Sequence, residues 1–95
     1  MTTYFITRHK GAIEWARGQG IEAAPLPHLD PEIIRPGDAV LGTLPVNIAA
    51  QVCERGARYF HLSMDVPQER RGQELTAQEM QQCGALLEEF KICKQ

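Results

Sequence analysis

The sequence predicts a small α/β domain, an open, mainly parallel sheet of about four strands with helices on both faces. Two patterns and a length predict it. Short β-branched and aromatic runs at Thr3–Thr7, Ala39–Leu41 and Arg58–Leu62 alternate with helix-length segments. Glycine or proline punctuates each of those segments. Finally, 95 residues make one core and leave no room for a second.

The first strand, roughly residues 3–7, reads as an interior strand. A helix over about residues 11–19 follows, with Ile13, Trp15 and Ala16 on its apolar side and Gly18 and Gly20 at its end. Two prolines, Pro25 and Pro27, confine the next strand to a sheet edge, around 21–24 or 26–29. The stretch from Asp30 to Asp38 is bounded by turn residues, with a single helical turn between them. Ala39-Val40-Leu41 is a short continuous apolar run, the pattern of a strand buried on both faces. A second helix is expected over about Val46–Arg55, closed by Gly56, and Arg58–Leu62 is the last clear strand. After a polar loop, Thr76 followed by Glu79 has the form of a capping box. Met80, Cys83, Leu87 and Phe90 then recur at alternating spacings of three and four, which predicts one long final helix.

Composition narrows the function classes. Charged residues make up 23% and apolar residues 43%, ordinary values for a folded domain, so disorder is not expected. The formal net charge of −2 argues against bulk DNA or RNA binding by long-range attraction. No apolar run reaches the ~20 residues of a membrane span, and a cytoplasmic protein is expected. Cys53, Cys83 and Cys93 form neither a disulfide framework nor a metal motif, and read as small apolar residues. His9, His28 and His61 have no ligand spacing, so no metal and no cofactor is expected.

Taking a strand order of 2-1-3-4, the first and third strands are neighbours whose helices leave to opposite faces. That is a topological switch point, the usual ligand crevice of open α/β sheets. Three loops then share one sheet edge. In the first, Thr7, Arg8, His9, Lys10 and Gly11 join a strand exit to a helix N-terminus. Arg8 can fork onto phosphate oxygens, Lys10 is a mobile point charge, and His9 can move a proton near neutrality. The plain alternative is a solvated basic turn. In the second, Gly42, Thr43, Leu44, Pro45 and Asn47 offer a close backbone approach, a hydroxyl at or near a helix N-cap, and an amide. Thr43 acting only as a cap is the plain alternative. In the third, Ser63 and Asp65 follow the last strand, while Arg70 and Arg71 stand in a stretch able to close over an anion; Asp65 capping a turn and a solvated charge run are the plain alternatives. His61, inside a strand, reads as a packed or hydrogen-bonded histidine. No Walker-type or dinucleotide-binding glycine motif is present.

Several blocks together carry a resemblance: Tyr4-Phe5-Ile6-Thr7-Arg8-His9, Gly11-Ala12-Ile13-Glu14-Trp15, Gly37-Asp38, Gly42-Thr43-Leu44-Pro45-Val46-Asn47, Gly56-Ala57-Arg58-Tyr59 and His61-Leu62-Ser63. They resemble the small single-domain Csx-type ring nucleases found beside type III CRISPR systems, over roughly residues 3–90. The resemblance implies a Rossmann-like homodimer that binds cyclic tetra-adenylate at its two-fold interface. It implies metal-independent cleavage to linear di-adenylate with a 2′,3′-cyclic phosphate, which switches off antiviral signalling. The matched loops run from Arg8 to Gly11, Gly42 to Asn47 and Ser63 to Asp65. Chemistry then suggests Arg8, His9 and Lys10 as catalytic groups. Thr7, Gly11, Gly42, Thr43, Leu44, Pro45, Asn47, Ser63, Asp65 and Arg71 are the expected ligand contacts. Two other readings compete. One is a binding module that holds the ring without cutting it. The other is a histidine phosphatase, whose Arg-His-Gly signature is interrupted here by Lys10.

Overall fold

A computed structural model describes the whole chain, Met1–Gln95. Its strands are β1 (Thr3–Ile6), β2 (Ala24–Leu26), β3 (Ala39–Gly42), β4 (Arg58–Ser63) and β5 (Leu86–Phe90). The helices are α1 (Lys10–Gly18), α2 (Val46–Glu54) and α3 (Ala77–Gln82), with 3₁₀ turns at Pro31–Ile33 and Gln68–Arg70. The sheet has five strands in the order β2-β1-β3-β4-β5. β1, β2, β3 and β4 are parallel, and β5 runs antiparallel beside β4. The order 2-1-3-4, which the sequence alone left as an assumption, is therefore present, extended by a fifth strand.

Alternation along the strands divides the core into two layers. Phe5, Leu41 and Leu62 point to one face and bury Ala12, Trp15 and Ala16 of α1 and Met80 of α3. Val40 and Tyr59 point to the other face and pack with Ala49 and Val52 of α2 and with Ile34. Trp15 is only 4% exposed, and its indole Nε1 donates to Gln81 Oε1 at 3.0 Å, tying α1 to α3. No helix is long and apolar enough to cross a membrane.

The sequence expectation fails after Gln82. The final helix ends there, and Leu87 and Phe90 belong to β5 rather than to a helical stripe. Gly84 is the physical reason. It sits in the left-handed region at φ +72°, where its N–H reaches Gln81 O at 3.1 Å and the N–H of Ala85 reaches Met80 O at 3.0 Å. Those two bonds form a Schellman stop. The freed chain then pairs with β4, placing Leu87 opposite Leu62 and Phe90 opposite Tyr59. Cys83 is accordingly a half-buried C-cap residue, not a position on a helical stripe. The capping box itself is present: Glu79 N–H donates to Thr76 Oγ1, and Thr76 N–H to Glu79 Oε1. On the other sheet edge, β2 straddles the two expected locations and includes Pro25.

Candidate functional site at the strand exits

β1 and β3 end side by side, with Ile6 opposite Gly42. A Cβ at Gly42 would lie 2.9 Å from Ile6 O, and the residue has a φ of +154°, so glycine permits this close approach. The α1 and α2 helices leave to opposite faces just beyond, as a switch point requires. A cleft of about 440 Å³ opens beside this point, on the α1–α3 side. Its floor is apolar, made by Phe5, Ala12, Leu62, Met64, Leu75 and Met80, and its polar rim includes Thr7, His9, Thr43, Asp65, Arg70 and Arg71.

Local structure explains why these side chains stand there. Thr7 N–H donates to Leu26 O at 2.9 Å, and Thr7 Oγ1 accepts from His9 N–H at 3.1 Å. That bond turns the chain out of β1 and leaves His9 as the N-cap of α1, with its carbonyl accepting from Ala12 and Ile13. The first turn of α1 has neither a side-chain cap nor an acidic residue of its own, so its N–H groups keep their positive end free of a local cap. His9 Nδ1 lies 2.5 Å from Glu74 Oε1. Asp65 is held by its own N–H, which donates to Cys83 O at 2.9 Å. Arg70 forms an ion pair with Glu79, and its Nε is buried without a partner. Arg71 Nε lies 3.5 Å from Val66 O, leaving the rest of its guanidinium fork available at the rim.

Of the residues expected to form the site, Thr7, His9, Gly42, Thr43, Asp65 and Arg71 line this one cleft. The others lie elsewhere in the chain. Arg8 is exposed, and its Nη2 hydrogen-bonds the His28 ring instead. Lys10 is exposed and outside the cleft lining. Gly11 is buried against the segment before α3, where a Cβ would fall 1.9 Å from Leu75 O; its smallness serves packing. Leu44 N–H is taken by the Tyr59 hydroxyl at 2.9 Å, and Pro45, not Thr43, is the N-cap of α2. Asn47 lines a separate groove between α2 and the C-terminal residues. Ser63 falls on the strand face opposite to Leu62, away from the cleft floor.

Two supporting residues escaped sequence reasoning. Glu74 is 65 positions from His9, and no local spacing links them. Tyr59 lies under the Gly42–Leu44 loop, its hydroxyl 3.1 Å from Gly42 O and 2.7 Å from His61 Nδ1. Burial pushes the Tyr59 phenol above its ordinary range, so it remains a neutral donor and acceptor. His61 is thus a hydrogen-bonded strand histidine, also packed edge-on to Phe90. No group of three or more His, Cys, Asp or Glu side chains is arranged to hold a metal ion.

Residues 4–93 match the family described as "Putative CRISPR-associated protein (Cas_VVA1548)". The chain belongs to this family. The match runs from within the first strand past the last one, so all of the sheet except Thr3 and all three loops at the cleft lie within the family's span. No curated protein and no solved structure matches the chain.

Proposed function

We propose that this family member is a metal-independent ring nuclease that binds cyclic tetra-adenylate and opens it to linear di-adenylate with a 2′,3′-cyclic phosphate. The observation that carries the reading is the switch-point cleft. There His9 and Thr7 from the β1 exit, Thr43 from the β3 exit and Arg71 from the covering segment converge over an apolar floor. The family assignment places the protein in a CRISPR context, and the sequence resemblance supplies the ligand class.

The chemistry asks little of the protein beyond placement. The nucleophile is the ligand's own 2′-hydroxyl, and the cleft lining contains neither serine nor cysteine. Holding the 2′-oxygen, phosphorus and 5′-oxygen in line contributes several kcal/mol in such reactions. Arg71 and the open end of α1 stabilise the charge that grows on the phosphate oxygens, and His9 is placed for proton transfer. Apolar residues on the floor accept a purine face. A cleft of about 440 Å³ holds part of the ring. A homodimer presenting two such clefts across a two-fold axis matches the symmetry of the whole ligand.

Chromatography of cyclic tetra-adenylate incubated with the protein in excess EDTA tests the reading. Wild type is expected to give di-adenylate over many turnovers. His9→Ala should lower the rate by roughly 100-fold, while Arg71→Ala should weaken binding by about tenfold. An intact ring after incubation with excess folded protein rejects the nuclease. A ring bound tightly and recovered unchanged supports instead a non-catalytic messenger sponge or sensor.

A further inference from the structure

We propose that Glu74 is a positioning residue that makes His9 the general base of ring opening, an inference that rests on the nuclease reading above. Glu74 is the one side chain hydrogen-bonded to the His9 ring, with Oε1 2.5 Å from Nδ1. A carboxylate only accepts, so Nδ1 carries the hydrogen and Nε2 of the neutral imidazole keeps its lone pair. The pair is open to a ligand, with side chains 63% and 68% exposed for His9 and Glu74.

The fold holds Glu74 at this position from both sides. Upstream, Arg70 is anchored to Glu79 of α3. Downstream, Leu75 packs into the core and Thr76 is locked in the capping box with the same Glu79. Gly11 allows the final approach, because Leu75 O occupies the place a Cβ would take. The glycine after the basic turn thus brings the carboxylate-bearing segment up to His9. Without that approach, an exposed histidine at a helix N-cap would have a free choice of rotamer and tautomer.

In the step itself, the 2′-oxygen attacks phosphorus as its proton passes to His9 Nε2. The bond from phosphorus to the 5′-oxygen breaks, and water protonates the leaving oxygen. The hydroxide so formed is neutralised by the proton from the imidazolium, which the Glu74 carboxylate stabilises while it lasts. Protons balance, and the imidazole returns to its starting tautomer.

The test combines a double-mutant cycle with ¹⁵N NMR of the His9 ring in the free protein. Glu74→Gln keeps the size of an exposed side chain and removes its charge. It is expected to lower the single-turnover rate by about 10–100-fold at unchanged KM, while Glu74→Ala, which removes the acceptor as well as the charge, is expected to lose the Nδ1–H preference expected of wild type. His9→Ala/Glu74→Gln should be no slower than His9→Ala alone, because Glu74 acts only through His9. A Glu74→Gln loss that persists in full on the His9→Ala background overturns the proposal, as does a ring tautomer unchanged in Glu74→Ala. Wild type that leaves the ring intact overturns the nuclease reading and the base role together. A cleaving wild type with additive losses overturns the Glu74 assignment alone.

Discussion

Tyr59 shows how one buried hydroxyl can set the shape of a loop at the site. Its oxygen accepts the Leu44 N–H at 2.9 Å, and Gly42 O and His61 Nδ1 stand within hydrogen-bond distance. The hydroxyl has one hydrogen to give, and a carbonyl can only accept it. All four groups are satisfied when Tyr59 donates to Gly42 O and His61 Nδ1–H donates to Tyr59. This arrangement holds the backbone just after β3, where Thr43 faces the cleft. Tyr59→Phe keeps the ring packed against α2 and removes all three bonds. It should destabilise the domain by about 1–3 kcal/mol, since buried polar groups lose their partners. It should also speed amide exchange at Leu44 well beyond that at Val40 in the strand core. Denaturant unfolding and amide exchange check the two effects. Unchanged exchange at Leu44 would show that the loop is held by something other than this hydroxyl.

At the scale of elements, all three helices end in the same way. The N–H groups of Gly20, Gly56 and Gly84 reach back to the carbonyls of Arg17, Cys53 and Gln81. The third stop was hidden in the sequence by Met80, Cys83, Leu87 and Phe90, whose spacing of three and four imitates a helical face. Periodicity cannot tell that such a stripe is cut in two when its second half finds an open strand edge to pair with. Thr76 and Glu79 were legible because a capping box is a local device complete within four residues. The interior strands were legible because each is a short apolar run between turn residues. The site was legible only in part. Strand order brings Thr7, His9, Gly42 and Thr43 together; the alternation of elements pointed to a parallel sheet, but the order 2-1-3-4 itself was an assumption. Side-chain direction did not follow: consecutive residues entering a helix point to different sides, so His9 faces the cleft while Arg8 and Lys10 do not. Gly84→Ala tests the stop directly. Nothing lies within 4 Å of the added Cβ, so the cost is conformational, roughly 1–2 kcal/mol. Amide exchange should rise first in β5, because the turn sets its register on β4. Equal protection of β5 in the variant would mean that strand pairing, not the turn, fixes the register.

For the molecule as a whole, acid stability should depend on Asp38, the one charged residue in the buried set, at 4% exposure. Its Oδ1 accepts from Thr2 N–H at 2.9 Å and its Oδ2 from Arg35 N–H at 3.0 Å, while its own carbonyl accepts from Arg58 N–H. One side chain thus joins the start of β1 to the loop before β3, and its backbone joins β4 to the same point. These are the central parallel strands whose opposite ends carry the cleft. The N–H of Thr2 and then that of Arg35 hold the Asp38 carboxyl below the usual carboxylate range, against the opposing effect of burial. A depressed folded value means that the unfolded chain takes up a proton first as pH falls. The stabilisation is therefore complete above the ordinary aspartate value of about 3.9 and is lost progressively below it, until the folded carboxyl also protonates. The Arg58–Glu89 pair holds the Glu89 carboxyl down as well, but on the surface, where salt screens it. Asp38→Asn separates the two contributions. The variant should melt lower than wild type near neutral pH, because an amide cannot accept at both atoms. The gap should narrow as pH falls through the acidic range, and 0.5 M salt should leave it in place. Thermal unfolding of both proteins from about pH 7 to pH 2.5 measures it. A gap that stays constant with pH would remove Asp38 as the source of the acid sensitivity.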